Sequence, residues 1–190
     1  MNFIDAIKSG FQNYFNFRGR ASRSEFWYWV LFTVLIGLVA STLESAIWPT
    51  PAFEGDWMQN FESIAAQQTP LSNILTLVLF IPNLSMLARR FHDAGFSAKW
   101  LLLQLAPIVY GIFAAIGVVS ILLSNNIENL DLSVEELMSL IFLVLPIFGL
   151  FLAVLVVYLV FALRPSKSFY DGNKYVEPES PSSLQEGTTA

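Results

Sequence analysis

Long apolar runs separated by short polar stretches set the pattern of this chain, and its first residues depart from that pattern. Between Asn2 and Asn16, Phe3, Ile4, Ile7, Phe11, Tyr14 and Phe15 recur at helical spacing, with Asp5, Lys8, Gln12, Asn13 and Asn16 between them. This predicts an amphipathic helix over residues 1–17. It is too polar on one side to cross a bilayer, and it suits either the membrane interface or a packing face of the protein. Gly19 ends it. Ser22-Arg23-Ser24-Glu25 then has the Ser-x-x-Glu spacing of a capping box just ahead of an apolar run.

Four apolar runs follow, at 26–44, 71–88, 100–123 and 139–163, each near the roughly 20 residues that cross the hydrocarbon. Phe26, Trp27, Tyr28 and Trp29 form an aromatic belt at the head of the first. The connection over 45–70 is acidic, and Trp57, Met58, Phe61, Ile64 and Ala65 predict a short surface helix within it. The connection over 124–138 is acidic too, with Glu128, Asp131, Glu135 and Glu136, and Ser133 to Glu136 is a second capping box that starts the fourth helix early. Small residues four apart, Gly111 with Ala115 and Gly149 with Ala153, allow close helix approach. The expected fold is all-α: a polytopic four-transmembrane-helix bundle over 18–175, preceded by the interfacial helix and followed by a disordered tail over 176–190.

Composition supports the bilayer as solvent. The chain has 190 residues, 55% hydrophobic and 13% charged, with a mean hydropathy of +0.57, too apolar for a soluble domain of this length. A net charge of -5 hides a separation of signs. The basic residues are Lys8, Arg18, Arg20 and Arg23 before the first run, Arg89, Arg90 and Lys99 between the second and third, and Arg164, Lys167 and Lys174 after the fourth. Neither acidic connection holds any. By the positive-inside rule both termini and the central loop are cytoplasmic, in a multi-pass plasma-membrane protein. A cleaved signal peptide fits poorly, because the first run lies too far from the start. Basic groups held at the bilayer also argue against a nucleic-acid partner. With no cysteine, disulfides and thiolate metal sites are excluded.

The densest polar island is Arg89-Arg90-Phe91-His92-Asp93-Ala94-Gly95-Phe96-Ser97-Ala98-Lys99-Trp100. Arg89 and Arg90 suit a helix C-terminus beside anionic headgroups. Lying about 100° apart on a helix, one can snorkel while the other turns inward. His92 and Asp93 are the only candidates for acid–base chemistry. A sole histidine cannot build a zinc site of several nitrogen or sulfur ligands, and spacing sets no nucleophile beside the pair. The structural alternative has Asp93 turn the chain ahead of Gly95 and pair with an arginine. No cofactor or metal is expected. Pro82, Pro107 and Pro146 lie in three different spans and predict kinks. Asn83 and Gln104, intramembrane and near the ends of neighbouring spans, suit interhelical hydrogen bonding better than a substrate pocket.

Phe17-x-Gly19-Arg20-x-Ser22-Arg23-x-Glu25-Phe26-Trp27, Pro82, Arg89-Arg90-x-His92-Asp93-x-Gly95-x-Ser97, Trp100 and Gly172-Asn173-x-Tyr175 together resemble the YhaH-like bacterial inner-membrane family, the domain of unknown function 805. The resemblance reaches to about Pro178. Ala98 and Lys99 separate Ser97 from Trp100 where the family usually has Ser-Gly-Trp, and Val176 stands where a glycine is usual. The resemblance implies a small bacterial inner-membrane protein and carries no established activity. The motifs fall on the segments that charge assigns to one side, so Arg18, Arg20, Arg23, Glu25, Arg89, Arg90, His92, Asp93, Asn173 and Tyr175 are expected to gather in one polar cluster. The favoured function is non-enzymatic, with a basic face that binds anionic lipid headgroups, a protein partner or a second copy. The alternatives are a small transporter or channel, and a lipid-headgroup enzyme using His92 and Asp93.

Overall fold

The computed structural model describes residues 1–49, 60, 63, 69–124, 133–176 and 178, and all its regular elements among these are helical. They are α1 (Phe3–Gln12), α2 (Arg23–Ile47), α3 (Pro70–Asp93), a 3-10 helix (Ala98–Gln104), α4 (Leu105–Ser124) and α5 (Val134–Leu163). Four helical segments are long and apolar enough to cross a membrane: α2, α3, the 3-10 helix running into α4, and α5. The surface helix expected around Trp57 to Ala65, the loop acids Glu128 and Asp131, and the tail beyond Val176 apart from Pro178 lie outside the described residues.

The chain forms two compact units. The first combines Met1–Gly95 with Pro165–Ala190 and contains α1, α2 and α3. Helix α1 is shorter than the 1–17 pattern, with Asn2 as its N-cap and Asn13 as its C-cap. Its packing surface is not simply its Phe-rich face. Its smallest residues, Ala6 and Gly10, are the buried ones, and the phenylalanines divide. Phe3 meets Tyr28 edge-on, and Phe11 meets Trp29 and Phe32, while Phe15 remains 75% exposed. Trp29 is 2% exposed and forms a core with Ala21, Leu79 and Met86.

A Cβ on Gly10 would lie 2.1 Å from the Trp29 ring, so close that either the indole or α1 must move. Gly10→Ala is therefore expected to destabilise the first unit by about 1–3 kcal/mol, the usual cost of overpacking, despite alanine's better helix propensity. Thermal unfolding followed by Trp fluorescence checks this; an unchanged midpoint would contradict the packing.

Both capping serines serve as N-caps, but only one box closes. Ser133 and Glu136 bond reciprocally at the start of α5. At α2, Ser22 accepts from the Glu25 amide, whereas the Glu25 carboxylate turns to Ser9 and Arg89. The prolines also differ. Pro82 and Pro146 lie inside α3 and α5. Pro107 sits in the first turn of α4, where the 3-10 helix Ala98–Gln104 runs into it. Pro82 frees the carbonyl four residues back, that of Val78, and the Tyr14 hydroxyl donates to it at 2.6 Å. Such re-satisfaction lets proline stand in an apolar helix.

The second unit is Phe96–Arg164. The third span begins as a 3-10 turn at Ala98, not as an α-helix at Trp100, and Tyr158 donates to the Leu101 carbonyl at 2.9 Å. Phe161 stacks on Phe96 and meets Trp100 edge-on. Gly117 gives the tight approach of α4 to α5, since a Cβ there would lie 2.6 Å from Leu143. Gly111 and Gly149, the expected small-residue sites, have open space before them.

Candidate functional site

The polar island is largely helix. Helix α3 continues through Arg89 to Asp93, and only Ala94 to Ser97 form the turn. A helix ending here exposes its last carbonyls, which need donors from elsewhere in the chain. The N-terminal segment supplies one: the Ala21 amide donates to the Arg89 carbonyl at 3.1 Å. The C-terminal segment supplies more. The Lys167 amide donates to the Asp93 carbonyl at 2.9 Å, and Asn173 Nδ2 donates to the His92 carbonyl at 2.9 Å and the Lys167 carbonyl at 3.1 Å. Asn173 Oδ1 in turn accepts from the Tyr175 amide. Asn173 is 2% exposed and works as a C-cap supplied from a distant segment.

Charge reinforces this clasp. The Asp93 carboxylate accepts from Arg20 Nη2 at 2.6 Å and Nε at 3.0 Å, and also from Arg90 and the Ser166 hydroxyl. Arg90 is fully buried and Asp93 is 3% exposed. One layer deeper, Glu25 accepts from Arg89 at 3.0 Å and from Ser9 at 2.7 Å, with both charged groups buried. Arg89 Nε has no hydrogen-bond partner among the described residues. The two arginines thus both turn inward; neither snorkels. Cations at a helix C-terminus also meet the negative end of its dipole.

His92 stacks on Tyr175, ring centroids 4.1 Å apart, and its Nδ1 donates to the Gly19 carbonyl at 3.3 Å. Gly19, Gly95 and Gly172 all have positive φ, so three turns converging here use glycine where other residues are strained. The described residues include no group of three or more His, Asp or Glu placed to hold a metal. On the C-terminal segment Asp171 accepts from the Ser168 amide and hydroxyl, and these bonds hold its carboxyl below the usual carboxylate range.

Of the ten residues expected to gather, Arg20, Glu25, Arg89, Arg90, His92, Asp93, Asn173 and Tyr175 meet through the contacts above. Arg23 is exposed, near enough for its charge to act on Arg90. Arg18 is exposed, and its amide donates to Asn16 Oδ1 at 3.0 Å. Asn83 accepts from Trp29 Nε1 at 2.7 Å and joins α2 to α3; Gln104 is exposed in the second unit. Sequence reasoning missed Ser9, Tyr14 and Ser166. It also missed Glu44, which is 3% exposed and accepts from the Ser72 amide at 2.9 Å and hydroxyl at 2.5 Å. The signal was there: a helix opening Thr69-Pro70 has first-turn amides that need an acceptor, and Glu44 is the acid ending the preceding run.

A family model described as a protein of unknown function, DUF805, matches residues 14–175. Inner membrane protein YhaH of Escherichia coli K12 is 31% identical over 99 residues, 52% of this chain and 70% of that protein. Inner membrane protein YhaI of the same strain is 28% identical over 99 residues, 52% of this chain and 69% of that protein. No solved structure matches the chain.

Proposed function

Given that the chain belongs to the DUF805 family of multi-pass membrane proteins, we propose that it is a non-enzymatic protein of the bacterial inner membrane whose basic face, turned to the cytoplasm, binds anionic headgroups. The observation that carries this reading is a division of labour among its charges. The groups that could do chemistry are committed internally, since Asp93 takes Arg20, Arg90 and Ser166 and His92 is stacked on Tyr175. The exposed cations Lys8, Arg18, Lys99 and Lys174 flank the spans, where each basic side chain favours an anionic surface by about 1 kcal/mol. An acid–base catalyst needs a proton acceptor open to substrate, and the carboxylate next to the only histidine is filled.

Reconstitution tests this. The protein is expected to unfold at a higher temperature in bilayers containing phosphatidylglycerol than in phosphatidylcholine alone, with the difference shrinking as salt rises. Because the chain has no cysteine, single cysteines at Lys8 and Lys99 report orientation cleanly, and both should be labelled from the same side. Equal stability in the two bilayers, or labelling from opposite sides, would contradict the proposal.

A further inference from the structure

Beside the clasp, the first unit has a cleft of about 300 Å³ lined by Arg20, Ser166, Lys167, Ser168, Phe169, Tyr170 and Val176. Its size matches the lower end of small-ligand sites, and its chemistry is that of an anion receptor. Arg20 spends Nε and Nη2 on Asp93 and the Lys167 carbonyl. Its Nη1 is left over, on a side chain one-third exposed. The guanidinium is held rigid by these bonds, so a ligand meets it already oriented. Lys167 is fixed through its backbone, by its amide on the Asp93 carbonyl. Its side chain crosses the bare face of Gly95, where a Cβ would lie 3.1 Å from Lys167 Cδ, and its ammonium acts on the Asp171 carboxylate only at a distance, as a minor contribution beside the Ser168 hydrogen bonds. Asp171, the nearest acid on this segment, is folded back onto Ser168.

Two further features bear on the ligand. Phe169 and Tyr170, on the cleft wall, are 44% and 75% exposed, and exposed aromatic rings favour the headgroup level of a bilayer. Ser166, where this wall begins, comes three positions after Leu163, the last residue of α5, so in sequence the segment lies within a few residues of a membrane span.

We propose that this cleft binds a phosphate group through Arg20 and Lys167. The phosphate belongs either to a lipid headgroup or to a free anion. The site rests on the headgroup reading above and gives it an address, one cleft in place of a diffuse basic face.

The test is calorimetric titration of the full chain in neutral detergent with dihexanoyl phosphatidic acid, dihexanoyl phosphatidylcholine and inorganic phosphate. Saturable binding of phosphatidic acid is expected, about fivefold weaker in Lys167→Gln and recovered in Lys167→Arg. Lys167 holds its place by its backbone, so the Gln variant should fold, and an unshifted unfolding midpoint verifies that. A matching response to inorganic phosphate assigns the cleft to a free phosphate; a response to phosphatidic acid alone assigns it to a headgroup. Phosphatidic acid binding that Lys167→Gln leaves intact overturns the cleft while sparing the general headgroup reading. Failure to distinguish phosphatidic acid from phosphatidylcholine overturns both.

Discussion

Asp93→Ala is expected to lower stability by about 3–5 kcal/mol, the cost of removing one partner of a buried charge pair. The reason lies with Arg90, which is fully buried and would keep its charge without its carboxylate. Ser166 and Arg20 lose the same acceptor, so the N-terminal and C-terminal segments come off the end of α3 together. Asp93→Asn should recover little, because an amide offers an acceptor but no charge. Arg20→Gln should cost far less, about 1 kcal/mol or under, because its side chain is one-third exposed and water screens the pair. Thermal unfolding of the purified variants by fluorescence-detected size exclusion orders them. Asp93→Ala no worse than Arg20→Gln would contradict the assignment.

Glu25→Ala is expected to come second, also at about 3–5 kcal/mol by the same argument, since Arg89 is 3% exposed and Ser9 loses its acceptor as well. Here the pair can be tested by replacing both partners. Arg89 already carries an Nε without a hydrogen-bond partner among the described residues, a standing cost in a buried group. The double variant Glu25→Leu with Arg89→Met should therefore regain most of the stability lost by Glu25→Ala, as apolar replacement of buried pairs often does. A double variant as unstable as the single would mean that the pair fixes geometry that packing cannot replace.

The spans and the caps were legible because each follows from local periodicity or spacing. Ser133 and Glu136 are three residues apart and need nothing from the rest of the chain. The gathering of Arg20, Asp93 and Asn173 could be anticipated only as a group brought to one side by charge. Which residue met which could not be read. Glu25 shows why: its spacing from Ser22 fits a capping box, but the buried guanidinium of Arg89 is the stronger claimant for its carboxylate, and tertiary pairing wins over the local bond. Arg89 and Arg90 show the same competition. At a helix end beside a bilayer, snorkelling costs little, and only the arrival of Glu25 and Asp93 from different parts of the chain makes the inward position better. Ser9 and Tyr14 were read as parts of an amphipathic helix, since nothing near them in sequence shows that Glu25 and the Val78 carbonyl need a donor.

These residues act as a clasp: α3 ends where two distant segments supply the donors its last turn lacks. Amide hydrogen exchange over residues 165–176 tests this most directly. The amides of Lys167, bonded to the Asp93 carbonyl, and Tyr175, bonded to Asn173, should be protected in the wild-type protein and exchange freely in Asp93→Ala, while α4 and α5 keep their protection. Exchange at the rate of a free peptide in the wild type, or protection there that survives Asp93→Ala, would contradict it.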